Sequence, residues 1–394
     1  MSAAHPLHPL VKVSRRGATR LREGHVWVYR SDIVSSDGIA PGTMVGVADE
    51  RGKPLGTALY SSASQIAIRL LSREPVADLD SLLRRRIREA TAYRERVVRD
   101  TDAYRVVFSE ADFLPGLIVD RYHDVLSLQV LTQAMDNESV RAAIVSELAQ
   151  QLKPAAIVER VDAKIRELEQ LPPRSSGLLQ GEKTSAIFSM NGVKFHFDAM
   201  EGQKTGAFLD QRENYAAAAR YARGEALDVF CYQGGFALHL AKSGSQVTGV
   251  DSSRPALEVA DRNAVLNGND IEWIEANAFD LLRDYAAAGR EFDIIVLDPP
   301  AFARNRQSLG KALGGYKELN LRALKMLRPG GILVTCSCSY HVRQGDFIQV
   351  LAEAARDAHR NLRILESRTQ AKDHPILLGV PETGYLKCII ANVS

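Results

Sequence analysis

The sequence predicts an α/β protein whose C-terminal half is a doubly wound parallel sheet, preceded by a small β unit and an α+β middle region. Three observations predict it. After about residue 200, short apolar runs alternate strictly with helical stretches: LDVF, QVTGVD, IEWIEA, FDIIVLD, GILVTC, then RILES and YLKCIIANV. Strands that are apolar throughout, rather than on alternate residues, belong to a sheet covered by helices on both faces. Before that point strand-like runs outnumber helices, the pattern of α+β and all-β folds. Finally, 394 residues exceed one ordinary domain and suffice for two or three.

In chain order, residues 1–76 carry VKVSRRG, HVWVY, the turn-rich SSDGIAPG, TMVGVADERG, TALYSS and QIAIRLL, which read as a small all-β unit. The stretch LDSLLRRRIREATAYRERVV has helical periodicity and opens the second region, 77–197, as a connecting helix. There YRVVFS, GLIVDRY and VLSLQVL precede DNESVRAAIVSELAQQL, which opens on cap-forming residues, and AAIVER, AIFSM and VKFHFDA follow it. Residues 198–394 make the doubly wound domain.

A composition of 45% hydrophobic and 25% charged residues is that of a globular protein, and no low-complexity tract or fixed-period repeat interrupts it. The start MSAAHPLHPL has no apolar core of signal-peptide length, and no run reaches the roughly 18 apolar residues of a membrane span, so the cytoplasm is the expected address and no membrane partner is expected. The four cysteines, Cys231, Cys336, Cys338 and Cys388, form no pair of Cys-x-x-Cys arms, so no metal site is expected. A net charge of +2 is too mild to identify a partner.

In open α/β sheets ligands bind beyond the carboxyl ends of the strands. Asp228 reads as the beginning of the first strand, and the turn after it is VFCYQGGFALHLA. Gly234 and Gly235 let a ligand approach the backbone, Phe230 and Tyr232 flank them, and the helix from Phe236 turns its free N–H groups to the site. Paired glycines after a strand also serve as a plain tight turn. The spacing lacks the Gly-x-Gly-x-x-Gly of dinucleotide sites, so NAD fits poorly. Asp251 ends the second strand about one βαβ repeat later, where a carboxylate accepts both hydroxyls of a ribose; a helix-start carboxylate is the alternative. Ser252 follows it, Ser253 and Pro255 start the next helix, and Asn267 with Gly268 end it. IEANAF closes the third strand and sets Asn277 and Ala278 beside a purine site.

The order VFCYQGGFAL, VTGVDSS, EANAFDLL, IIVLDPPAF, LVTCSCS is similar to the class I S-adenosylmethionine methyltransferases. In more detail the chain resembles the ribosomal RNA large-subunit methyltransferase family that makes 5-methylcytidine. GHVWVYRSDI resembles that family's N-terminal PUA domain, FSEADFLPGLIVDRY its middle domain, and EGQKTGAFLDQRENY the segment leading into its Rossmann-like catalytic domain. The resemblance implies S-adenosylmethionine as cofactor and places Lys204, Gln211 and Arg212 near it, with Arg212 or Lys204 expected to neutralise its carboxylate.

Asp298-Pro299-Pro300-Ala301-Phe302 follows the fourth strand. Two prolines fix a rigid exit without N–H donors, and Asp298 beyond the strand end can accept from the exocyclic amine of a base and lies beside the donor. The same loop resembles the Asp-Pro-Pro-aromatic loop of amino-group methyltransferases, in which the target nitrogen attacks directly. The fifth strand runs into Ser337-Cys338-Ser339. Carbon 5 of cytosine is a poor nucleophile until a thiolate adds to carbon 6, so a carbon-5 enzyme needs a cysteine near the donor. Cys336 sits closer to the strand body and packs as a small hydrophobe, whereas Cys338 lies in the loop beyond. The resemblance selects Cys338 too, leaving Cys231 as a rival nearer the donor. The base that removes the carbon-5 proton stays open between Asp298, a water and, more weakly, His341.

Lys12, Arg15, Arg16, Arg20, Arg22 and Arg30 cluster in the first region, with Glu23 the one acid among them in sequence. Such a cluster suits phosphates, and Trp27 and Tyr29 either stack on a base or fill the core. With the PUA resemblance, large-subunit ribosomal RNA is the expected partner, and a homodimer is left open. Three functions are carried forward: a carbon-5 cytidine methyltransferase, an amino-group methyltransferase on RNA or protein, and a non-catalytic RNA-binding protein.

Overall fold

The computed structural model describes residues 7–200, 207–303 and 306–394. The first unit is a six-stranded sheet of β1 (Leu10–Val13), β2 (Trp27–Tyr29), β3 (Ile33–Ser35), β4 (Met44–Asp49), β5 (Pro54–Tyr60) and β6 (Ile66–Ser72), in the order β2-β6-β5-β4-β1-β3. It is not all-β, because a helix, α1 (Arg15–Arg22), stands where the strand VKVSRRG was expected to continue. Ser14 ends the strand by capping this helix, accepting from the Gly17 amide. Gly17, Ala18 and Leu21, spaced for one helical face, are buried against the sheet.

The connecting helix α2 (Leu79–Val97) leads to a five-stranded sheet, ordered β11-β10-β9-β8-β7. Its elements are β7 (Ala103–Phe108), β8 (Leu117–Tyr122), β9 (Val125–Val130), α3 (Glu138–Leu152), β10 (Ala156–Glu159), α4 (Ala163–Leu168) and β11 (Gly177–Gly181). Leu83 and Ile87 of α2 share a core with Ile144 of α3 and with Val119 and Leu128 of the sheet. The hairpin of β12 (Ser185–Met190) and β13 (Val193–Asp198) packs forward instead. Phe188 and Phe195 join the core of the following domain, and the Lys194 and His196 amides donate to Asn267 and Asn263 there.

That domain contains α5 (Arg212–Ala219), β14 (Glu225–Val229), α6 (Gly235–Lys242), β15 (Gln246–Asp251), α7 (Arg254–Asn267), β16 (Ile271–Glu275), α8 (Ala278–Ala287), β17 (Phe292–Leu297), α9 (Leu309–Met326), β18 (Leu327–Ser337), α10 (Gln344–Asp357), β19 (Leu362–Arg368) and β20 (Lys387–Val393). Its seven strands run β16-β15-β14-β17-β18-β20-β19. The first five are parallel, as the alternating pattern predicts, and the order reverses at β14, opening a crevice at its carboxyl end. The last strand departs from the expected parallel sheet: β20 inserts between β18 and β19 and is antiparallel to both. A long loop with one 3₁₀ turn (Pro381–Thr383), not an α-helix, joins β19 to β20, and an antiparallel neighbour needs no crossover helix. Among the described residues no helix is long and apolar enough to cross a membrane.

Candidate active site

The crevice beyond β14 is built on strained backbone. Phe230 and Tyr232 adopt left-handed conformations with φ of 66° and 48°, and Gly234 follows at 85°. Non-glycine residues persist there only where their surroundings hold them, and such positions gather at ligand sites. Gly235 is required for another reason: a Cβ on it would lie 2.5 Å from the Tyr215 ring. Asp251, at the end of β15, ties the loop down. One carboxylate oxygen accepts from the Tyr232 amide at 2.9 Å and the other from the Ser253 amide at 2.9 Å. Each oxygen keeps a lone pair for a hydroxyl donor.

Asp228 lies fourth of five residues in β14, near the strand's end rather than at its beginning. One carboxylate oxygen accepts from the Ala237 amide at 2.8 Å; the other is buried with no hydrogen-bond partner among the described residues. Burial pushes this carboxyl up to about 8, with the charges of Asp298 and Asp251 adding to the shift and the Ala237 amide opposing it. The native fold therefore retains a proton that the unfolded chain releases above about pH 4. Asp228 thus makes stability fall as pH rises from about 4 to about 8. Asp228→Asn is expected to flatten that fall, checked by comparing melting temperatures of both proteins at pH 5 and pH 8.5; parallel pH profiles would refute it.

Phe230, Tyr232, Gly235 and Asp298 line a cleft at the carboxyl end of β14. Its remaining wall includes Phe208 and Tyr215, which were not singled out, although both lie in the segment EGQKTGAFLDQRENY that was. Gly234 is buried in the turn, where a Cβ would meet Trp273 at 3.0 Å. Ser252 is exposed beyond Asp251, and Ala278 is the buried first residue of α8. Asn277 is exposed, and its side-chain oxygen caps α8 by accepting from the Phe279 and Asp280 amides, leaving only its NH₂ group for a ligand.

Two expectations near this cleft are corrected. Arg212 does not reach it: the residue is 1% exposed and its guanidinium donates to Asp373 at 2.9 Å. Burial demands an anion for Arg212, and the fold supplies one from the C-terminal loop rather than from a ligand. Gln211 is also buried, accepting from Asn214 at 2.6 Å and reaching towards Cys336. Lys204 lies outside the described residues.

The loops after β17 and β18 meet beside this cleft. The Cys338 thiol approaches the Pro299 carbonyl at 3.9 Å, and the Ala303 amide donates to the Ser339 hydroxyl at 3.2 Å. Tyr316 of α9 fixes the Cys338 loop from below, its hydroxyl 3.0 Å from both the Ser337 and Ser339 hydroxyls. Phe302 packs on the Tyr316 ring at 4.9 Å, which orients the exit of the Asp-Pro-Pro loop. The other three cysteines are buried, whereas Cys338 is partly exposed. Burial raises the Cys231 and Cys336 thiols well above the ordinary range, and Cys336 lies opposite Cys388 across β18 and β20. A thiol held protonated is a poor nucleophile.

The N-terminal basic cluster is more compensated than its sequence implies. Arg16 and Arg20 pair with Asp32 at 2.7 and 3.1 Å, Arg22 pairs with Asp49, and Arg30 donates to the Ser61 and Ser64 carbonyls. Trp27 donates to Glu110 of the middle region at 3.0 Å, and Arg20 covers the Tyr29 ring at 4.6 Å. Both aromatics are thereby engaged within the protein. Exposed Arg15 opens α1 and faces the same groove as Arg16, Thr19 and Arg20.

Residues 11–73 match the PUA-like domain, and residues 114–380 match the S-adenosylmethionine-dependent methyltransferase family. The chain belongs to that methyltransferase family. A protein of Shewanella denitrificans named Ribosomal RNA large subunit methyltransferase I is 42% identical to it over 95% of this chain and 96% of its own. A protein of the same name from Shewanella amazonensis is 42% identical over 94% and 95%. The fold of this methyltransferase is similar to that of the methyltransferase SMU.776, solved in complex with SAH, with a TM-score of 0.84, 19% identity and coverage of 98% of this chain and 100% of the other. The methyltransferase uses S-adenosylmethionine. Its crevice fits that cofactor: among the described residues one carboxylate oxygen of Asp228 has no partner, and Asp251 retains acceptor capacity for ribose hydroxyls. When bound, the cofactor supplies an electrophilic methyl group.

Proposed function

We propose that this methyltransferase modifies carbon 5 of a cytidine in large-subunit ribosomal RNA, with Cys338 as the covalent nucleophile. The relatives' names support ribosomal RNA as the substrate class. The observation that carries the chemistry is the meeting of the two loops: the partly exposed thiol lies against Pro299, one residue from Asp298 on the wall of the donor cleft. In this reading the Cys338 thiolate adds to carbon 6 and the ring's electron pair moves to carbon 5, which takes the methyl group. Loss of the carbon-5 proton then returns the pair to sulfur. Asp298 accepts from the exocyclic amine and holds the base edge, while the prolines keep competing N–H donors out of the loop. A stacked cytidine cannot present carbon 5 to the thiol, so the target enters unpaired or flipped.

The three regions divide this work: residues 1–76 hold RNA, 77–197 connect, and 198–394 bind the donor and perform the transfer, in the cytoplasm. Deleting the first region is a poor test of RNA binding, because Arg69 pairs with Glu169 across its boundary and Trp27 donates to Glu110. Arg15→Glu is cleaner. It is expected to weaken RNA binding uniformly across sequences and to reduce the salt slope by about one, read from titrations at several salt concentrations. An unchanged slope would remove α1 from the RNA surface.

The Asp-Pro-Pro-Ala-Phe loop keeps the amino-group reading as the competitor. Mapping modified nucleotides in total RNA from cells with and without the gene separates the two. Loss of one 5-methylcytidine in large-subunit RNA is the expected result, and loss of a methyl on an exocyclic nitrogen would replace this reading with its competitor.

A further inference from the structure

We propose that Lys387 is a positioning cation for Cys338, its ammonium held against the nucleophile's loop so that the sulfur stands ready as a thiolate. The inference rests on the reading of Cys338 as nucleophile, but its physical content, the pairing of one ammonium with one sulfur, is separately measurable.

Lys387 opens β20 and sits opposite Ser337 of β18, so the antiparallel insertion of β20 brings its side chain to the turn that carries Cys338. It is 7% exposed. Its ammonium donates to the Ser339 carbonyl at 2.7 Å and to the Tyr385 carbonyl at 2.7 Å. An ammonium has three donors, so two fix its place and one remains. Among the described residues no carboxylate lies within ion-pair distance of it. A buried cation without an acid is costly, and burial draws Lys387 down to about 8, while the charge of Cys338 opposes that fall.

Two phenols also stand around the sulfur. Tyr316 approaches from α9 with its hydroxyl bonded to Ser337 and Ser339, and Tyr385 approaches from the segment before β20 with its hydroxyl donated to Asp210 at 2.6 Å. Burial, together with the Cys338 charge, raises both phenols, so both stay neutral near pH 7. The loop after β17 contributes the Pro299 carbonyl and the acid Asp298. Held at that turn, Lys387 balances the sulfur charge before addition and again when the thiolate leaves. It keeps its proton throughout; the electron pair passes from sulfur to the pyrimidine and back.

A purely structural strut would act through its hydrogen bonds and not its charge. Lys387→Gln keeps amide donors and loses the charge, Lys387→Met keeps only the stem, and Lys387→Arg keeps the charge. The readout is the rate at which iodoacetamide labels Cys338 in the full-length protein, followed by peptide mass spectrometry across pH 6 to 9.5, with melting temperatures to confirm folding. Gln and Met are each expected to slow labelling at pH 7 by roughly tenfold and to move the profile to higher pH by about one unit, with Arg close to wild type. In turnover, Gln is expected to lower kcat with little change in KM for RNA. A wild-type labelling profile in a folded Gln or Met variant would overturn the pairing. Activity surviving in Cys338→Ala would overturn the nucleophile reading while leaving the labelling result to stand on its own.

Discussion

Cys338→Ala is expected to abolish methyl transfer and to leave donor binding intact. Without the thiolate, carbon 5 of cytosine never becomes a competent nucleophile, so the loss spans the whole rate enhancement rather than one contact. The cleft proposed for the donor is lined instead by Phe230, Tyr232, Gly235 and Asp298, and Cys338 is not among its lining residues. Calorimetry should therefore return wild-type affinity for S-adenosylmethionine. Cys336→Ala is expected to be far milder in chemistry, since that thiol is fully buried opposite Cys388 and held protonated. RNA carrying 5-fluorocytidine at the target should trap the wild-type enzyme, because fluorine cannot leave as a proton and the adduct cannot collapse. An amino-group enzyme would form no such adduct and would tolerate the loss of the thiol. Product still methylated at carbon 5 by Cys338→Ala would move the nucleophile to Cys231 or Cys336.

Asp373→Ala is expected to cost about 3–5 kcal/mol of stability, the usual result of stripping the partner from a buried charge. Asp373 is 0% exposed and lies where three parts of the chain converge. It accepts from Arg212 of α5 at 2.9 Å and from the Arg105 amide of β7 at 2.8 Å, while Arg94 of α2 donates to its backbone carbonyl. Removing the carboxylate leaves the buried Arg212 guanidinium only a longer, 3.8 Å contact with Glu213, in a structure where one of its nitrogens already lacks a partner among the described residues. Burial alone would raise this carboxyl, but the charges of His374 and Arg212 and the Arg105 amide outweigh it and hold it well below the usual carboxylate range. Its contribution is therefore complete above about pH 4 and is lost as pH falls towards the depressed native value. Urea unfolding at pH 7 and pH 3 checks both points: the gap between wild type and Asp373→Asn should narrow at the lower pH. A gap that did not narrow would mean that Asp373 acts through packing rather than charge.

The residues that lie close together along the chain were legible from their order. Asp251 ends β15, Asp298 leaves β17 and Cys338 leaves β18 because apolar runs of strand length announce where each strand stops, and in a parallel sheet those stops all fall on one edge. The strict alternation of strand and helix therefore determined the donor crevice and its relation to the thiol. What needed tertiary structure was every assignment that depends on a distant partner. Arg212 looks like a ligand for a carboxylate and is one, but the carboxylate is Asp373, 161 residues away in sequence. The basic stripe of α1 looks uncompensated until Asp32 and Asp49 fold against it. Lys387 belongs to an apolar final strand and carries no local signal; only the insertion of β20 beside β18 brings it to the Cys338 turn. Periodicity reports which face of an element is buried, but the sign and distance of the charge across that face are properties of the packing, and burial makes them decisive.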